Sequence, residues 1–213
     1  MITLFDYELS ADCYQVRLML ALLDLDHSRV DVEFYPSREH ESAQFTRVNP
    51  FQTLPVLRDG DLTLLDVHAI LVYLASRYDT ARTWYPAADP VLAAQVTQWL
   101  GVGRALATSA GAARLHESLF HLTDVEHARA VAHRLLGILD EHLWFGERTG
   151  RDWLCDAAAP TVADVALLPD LALSEEGGVS RIDYPAVRRW VDRVRRLDRF
   201  IGMPGVFPVG HAH

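Results

Sequence analysis

Lysine is absent from this chain: all 20 of its basic residues are arginine. Without lysine there is no Schiff-base chemistry and no Walker-type phosphate loop, since both need its amine. Cysteine is scarce as well. Cys13 and Cys155 form no C-x-x-C pair and have no metal-ligand spacing, which suits a reducing compartment. No apolar run approaches the roughly 18–20 residues that span a bilayer. Met1-Ile2-Thr3-Leu4 runs straight into a strand pattern, with no basic region and apolar stretch of the signal-peptide kind. The expected location is cytoplasmic, with no membrane partner. Positive charge is in deficit too. The 29 acidic residues leave a net charge of −9, which argues against nucleic acid or anionic lipid as the main partner.

What is present is ample hydrophobic residue, half of the 213 positions, enough for one large domain or two small ones. Residues 1–78 alternate between strand and helix patterns. Ile2-Thr3-Leu4-Phe5 is a short strand, and Tyr14 to Leu25 is a helix apolar on most of its circumference. Val30-Asp31-Val32-Glu33-Phe34 alternates as a half-buried strand should. Pro55-Val56-Leu57 and Leu62-Thr63-Leu64-Leu65 flank Arg58-Asp59-Gly60-Asp61, whose Asp-Gly predicts a hairpin. Val67 to Tyr78 is a second helix. The order βαβ, an irregular helix, then ββα predicts a thioredoxin-like fold. Residues 79–90, with Pro86 and Pro90, read as a linker. Beyond them, in 91–213, no strand pattern is convincing. Helices are expected at 91–107, 124–145, 161–173 and 185–197. The fold class is therefore α/β plus all-α. Thr161 and Asp164, three residues apart ahead of an apolar run, predict a variant capping box that stabilises without touching chemistry.

The most informative stretch is Asn49-Pro50-Phe51-Gln52-Thr53-Leu54-Pro55-Val56-Leu57. Proline cannot donate to a sheet ladder and is normally kept out of central strands. A cis Pro55 at the strand's beginning would turn the backbone outward and leave the N–H and C=O of Leu54 free for an extended peptide. That is a ligand-binding device.

Taken with Leu9-Ser10-Ala11-Asp12-Cys13-Tyr14-Gln15-Val16-Arg17-Leu18, with Asp66 to Leu74 and with the Thr161–Asp164 box, this stretch resembles the cytosolic glutathione transferases. The likeness covers nearly the whole chain and is nearest to a serine-type, theta- or zeta-like bacterial member. It implies glutathione as co-substrate without a metal, a small apolar electrophile as second substrate, a detoxifying conjugation, and a homodimer. Ser10, between the first strand and the first helix, resembles the family's catalytic serine, with Tyr7 as the rival thiol activator. A plain helix N-cap is the other reading of Ser10. Ser10-Ala11-Asp12-Cys13 also matches a C-x-x-C redox motif whose attacking cysteine is serine, which argues against disulfide exchange by the protein itself.

For glutathione, Leu54 beside Pro55 would pair with the cysteinyl backbone, and Asp66 with the γ-glutamyl ammonium. Val67 stands where the family usually has serine or threonine, so its amide alone would hold the γ-glutamyl carboxylate. Arg38, His40 and Gln52 are the candidates for the glycyl carboxylate. The electrophile would meet Tyr7, Trp99, Gly103, Leu106, Leu115 and Phe120, with Phe207 added from the tail. The ten histidines lack the helical spacing and carboxylate partners of a metal site. Two other readings stay open: a transferase-fold scaffold that has lost glutathione catalysis, and a glutathione-dependent peroxidase or disulfide reductase.

Overall fold

A computed structural model of the chain describes residues 1–208. Strand β1 (Ile2–Asp6) leads through helix α1 (Ala11–Leu22) to strand β2 (His27–Asp31). A short 3-10 turn at Glu39–Glu41 and a one-turn helix α2 (Ala43–Thr46) follow, then strands β3 (Val56–Asp59) and β4 (Leu62–Leu64) and helix α3 (Val67–Tyr78). The four strands form one sheet in the order β2-β1-β3-β4. β2 runs parallel to β1, whereas β3 is antiparallel to both β1 and β4.

Alternation along the strands decides which layer each residue joins. Leu4 and its partner Leu57 face a layer made by α1 and α3 and share a core with Tyr14, Leu18, Ile70 and Leu74. Phe5 and its partner Val56 face the opposite side, where Val32 and Phe45 of α2 form a smaller cluster. The hairpin between β3 and β4 pairs Asp59 with Leu62, so its central residues are Gly60 and Asp61, with Gly60 at φ +59°. The Asp-Gly signal is thus displaced by one residue.

β2 departs from expectation. It begins three residues earlier than the alternation suggests, and all five of its residues are exposed. Its register is fixed by parallel pairing to β1, from Ile2 with His27 to Asp6 with Asp31. The alternating residues Val32 and Phe34 lie beyond it, Val32 buried and still bonded to the Asp6 carbonyl through its N–H at 2.8 Å. As an edge strand, β2 has Arg29, whose Nε lies 2.7 Å from the buried Asp6 and 2.6 Å from Asp31.

The rest is helical: α4 (Pro90–Leu106), α5 (Ala112–Leu119), α6 (Val125–Arg148), α7 (Val162–Ala172) and α8 (Pro185–Val194). Asp89 caps α4 and Pro90 occupies its first turn, where a missing N–H is harmless. Between α4 and α5 the chain widens into a π-helical segment, Ala107–Gly111. Neither that segment nor α5 was expected. Their sequence, small residues around Gly111, carries little apolar periodicity of its own. All of α7 is buried, and it packs against α1, α4 and α8. The Thr161–Asp164 box forms at its start. The Asp164 carboxyl accepts from the Thr161 amide at 2.9 Å, the Leu154 amide at 3.1 Å and Trp190 Nε1 at 2.9 Å. By passing beneath α1 and beside α4, α7 ties the helical part to the thioredoxin-like part.

Candidate active site

A cleft of about 350 Å³ opens between the two parts. One wall comes from the β1–α1 loop and the turn before β3, the other from the π segment and α5. Ser10 lies on the first wall as the N-cap of α1, with extended backbone (φ −74°, ψ 125°). Its Oγ accepts from the Cys13 amide at 3.2 Å, so the hydroxyl proton remains free to donate. Beyond it, the amides of Ala11 and Asp12 have no hydrogen-bond partner among the described residues. The start of α1 therefore offers a hydroxyl and two N–H groups to an anion in the cleft, where the helix dipole adds to their effect.

Tyr7 shares this wall. Burial, with the nearby Glu33 charge, pushes its phenol above the ordinary range, so it is a neutral donor at physiological pH. Its ring leans on Phe34 at 5.8 Å between centroids. Both Ser10 and Tyr7 thus face the same space. Cys13 does not line it. Its thiol is buried behind α1, accepts from the Tyr7 amide at 3.4 Å and is pushed up to about 12 by burial, which leaves it unreactive.

The turn before β3 is held from inside by Asn49. Its Nδ2 donates to the Thr53 carbonyl at 2.8 Å and its Oδ1 accepts from the Phe51 amide at 2.9 Å. The Leu54–Pro55 bond is cis. Leu54 lines the cleft, and neither its N–H nor its C=O has a hydrogen-bond partner among the described residues. Pro55 is buried behind it. Gln52 lines the mouth with a left-handed backbone (φ +56°), and its side chain reaches Thr46 Oγ1 at 3.2 Å. His40 also borders the cleft. It is buried, stacked on Phe34 at 4.0 Å, and pushed below the usual imidazole range by that burial, so it is neutral. Its Nδ1 has no partner among the described residues. Arg38 lies away from the cleft, paired with Glu41.

Asp66 and Val67 are not among the cleft-lining residues. Asp66 caps α3 by accepting from the Ala69 amide at 3.0 Å, and its other oxygen is held by Arg104 Nη2 from α4 at 2.6 Å. These bonds lower its pKa against the effect of burial. The pair connects electrostatically to the cleft through Asp12: Arg104 steadies the Asp12 carboxylate and Asp66 opposes it.

Several residues expected on the second wall lie elsewhere. Trp99 is buried against His142 at 4.5 Å, and Leu106 is wholly buried in the helical core. Gly103 lies where α4 meets its neighbours: a β-carbon there would come within 3.2 Å of Leu167 and 3.5 Å of His68. Phe120 ends α5 in a left-handed conformation and is 77% exposed, and Phe207 is exposed on the tail. Helix packing accounts for the first three, and chain direction after α5 for Phe120. The wall is instead made by Ala107, Gly111, Arg114, Leu115 and Leu119, with Asp170 of α7 at its base. Of these, Leu115 was expected as apolar lining and Ala107 as a small residue that leaves room or permits close helix packing. Arg114, mostly buried, donates through Nε to Glu176 at 2.6 Å and through Nη1 to the Leu9 carbonyl at 3.1 Å. Asp170 could have been noticed as a carboxyl inside the apolar run Val165 to Leu173. Among the described residues no cluster of three or more histidine, cysteine or acidic side chains could hold a metal. No helix among them is long and apolar enough to cross a membrane.

Comparison with known proteins bears on the family and the fold. The family model described as the glutathione S-transferase N-terminal domain matches residues 4–82. A glutathione S-transferase-like protein of Aspergillus fumigatus is 30% identical over 212 residues, covering 91% of each chain. Glutathione S-transferase theta-2 of Rattus norvegicus is 48% identical over 63 residues, 30% of this chain and 25% of that one. Among solved structures, a possible glutathione S-transferase from Rhodopseudomonas palustris superposes with a TM-score of 0.85 at 26% identity, covering 95% of this chain and 97% of that one. With a thioredoxin-like sheet, a helical second part and a relative of this identity along almost its whole length, the chain belongs to the glutathione S-transferase family.

Proposed function

We propose that this protein is a serine-type, theta- or zeta-like transferase that binds glutathione and activates its thiol for attack on a small electrophile. The observation that carries this reading is the convergence of the Ser10 hydroxyl, two unpaired α1 amides and the unpaired Leu54 backbone on one cleft. A free thiol has a pKa near ~8.5 and is mostly protonated at neutral pH. Ser10 and the start of α1 stabilise the thiolate, and a shift of two units needs about 2.7 kcal/mol of preferential stabilisation. Leu54 pairs with the cysteinyl backbone. Asp66, already paired with Arg104, and the Val67 amide lie outside the cleft lining, and they take the γ-glutamyl ammonium and carboxylate where the tripeptide extends past it. Gln52 and the neutral His40 serve the glycyl end. Tyr7 stands beside the sulfur as a second, weaker donor. Leu9, Leu115 and Leu119 enclose the apolar part of the electrophile.

Calorimetric titration with glutathione tests the binding half of this proposal. Saturable heat in the submillimolar range is expected, and no heat at millimolar ligand overturns it. Thiolate absorbance of the bound tripeptide tests the other half. In Ser10→Ala the thiol pKa should rise by about 1–2 units, since one charge-assisted hydrogen bond is lost. An unchanged pKa would transfer the role to Tyr7.

A further inference from the structure

Two carboxyls reach the cleft without a part in thiol activation: Asp12 in the first turn of α1 and Asp170 of α7. Asp170 is the more unusual. It is 3% exposed and lines the cleft, yet its Oδ2 has no hydrogen-bond partner among the described residues. Its Oδ1 lies under the π segment, where a β-carbon on Gly111 would stand only 2.7 Å away. The widened turn and the missing side chain of Gly111 together leave a place for this carboxyl, and π-helical turns recur at functional sites.

Its surroundings fix its protonation. Asp12 on α1 opposes a second negative charge, and Arg114 on α5 favours one. Arg114 is already committed to Glu176 and the Leu9 carbonyl. The π segment, Ala107 to Gly111, contributes no ionisable side chain. Arg104 on α4 acts on Asp12 and Asp66, and His68 on α3 faces Gly103. Burial first and Asp12 second push Asp170 up to about 8. At neutral pH it is therefore an O–H donor at the base of the cleft.

We propose that Asp170 is a general acid for the second substrate, giving its proton to an oxygen that gains negative charge as the sulfur attacks, so that the site favours electrophiles conjugated to a carbonyl. The inference rests on the glutathione-transferase reading above. The glutathione thiolate donates an electron pair to the β-carbon of an enone and forms the C–S bond. The C=C pair shifts toward the carbonyl, and its oxygen takes the Asp170 proton as the charge develops. The product leaves as an enol that tautomerises to the ketone, and Asp170 regains a proton from water. Nothing is oxidised or reduced. A halide displacement develops no such oxyanion and has no use for this proton.

The test compares an enone with a benzyl halide of similar size, both with glutathione. In Asp170→Asn, turnover of the enone should fall by about a hundredfold or more, the lower end of what a positioned acid contributes, while the halide changes less than about twofold. Equal loss on both substrates, or no loss on either, overturns the proposal. The wild-type protein supplies a second reading that needs no variant. Its enone-to-halide rate ratio should fall as pH rises past about 8, approaching tenfold per unit, because the acid form is then depleted. A ratio flat between about pH 6 and 10 refutes the acid role. If glutathione binds and the halide is conjugated but the enone is not, Asp170 loses this role while the transferase reading stands. If glutathione does not bind, both fall.

Discussion

Two carboxyls six residues apart on α7 are both buried, and they serve opposite ends. Asp164, at the start of the helix, accepts from two amides, an indole and a threonine hydroxyl. Burial raises its pKa while those four donors pull it down. Asp170, near the other end, has one oxygen against Gly111 and the other unpaired, and no donor lowers its pKa. The same residue type on one helix is thus a structural joint at one end and a chemical group at the other. What separates them is donors, not burial. An acid surrounded by N–H groups is fixed in place, and one left with a carboxyl neighbour and an open cleft keeps its proton.

The comparison can be broken at its structural end first. Asp164→Ala leaves the Leu154 amide, the Trp190 indole and the Thr161 amide buried without acceptors. About 4 kcal/mol of stability should be lost, measured by denaturant unfolding. A loss below about 1 kcal/mol would mean that a simple cap is all Asp164 provides. Gly111→Ala comes next. Its new methyl group overlaps Asp170 and must push the carboxyl or the π segment aside, at about 1–3 kcal/mol. The same substitution should lower enone turnover, because the acid moves with the backbone around it.

The smallest effect, and the sharpest contrast, belongs to Asp170→Asn, expected to change stability by less than about 1 kcal/mol near pH 4. Its mark is pH dependence. The folded chain holds the Asp170 proton up to about 8, whereas an unfolded aspartic acid releases it near 4. Between those values the folded state binds more protons, so stability falls as pH rises through the window. Asp12, pushed up to about 6 by burial and by Asp66, contributes in the same direction over the lower half. The difference between wild type and Asp170→Asn should therefore open above about pH 4 and level off near 8, the variant's melting temperature declining less across that window. Parallel curves there would show that Asp170 is ionised like any surface acid.

Local chemistry made much of this legible from the residues alone. The capping box at Thr161, the limits of α3, and the turn that sets Leu54 before Pro55 depend on neighbours within a few positions, and each is present. The cleft wall formed by the β1–α1 loop and the turn before β3 was readable for the same reason, since Ser10, Gln52 and Leu54 belong to such turns. The opposite wall was not. Which faces of Ala107–Leu119 turn toward the cleft depends on how α4 and α7 pack. Trp99 and Leu106, good pocket residues by type, are buried in that packing instead. β2 slipped by three residues because its register comes from β1 and not from its own alternation. Asp66 was singled out for a ligand charge, but its partner Arg104, 38 residues later, was not foreseen.

Arg29 carries a consequence for behaviour in concentrated solution. It reaches from the outermost strand to a buried acid at the end of the neighbouring strand and to one two residues along its own. A polar border pinned in this way resists recruitment of a neighbouring molecule by backbone pairing. Losing that one guanidinium would leave Asp6 to Arg17 alone and loosen the margin, with clumping on storage as the visible result.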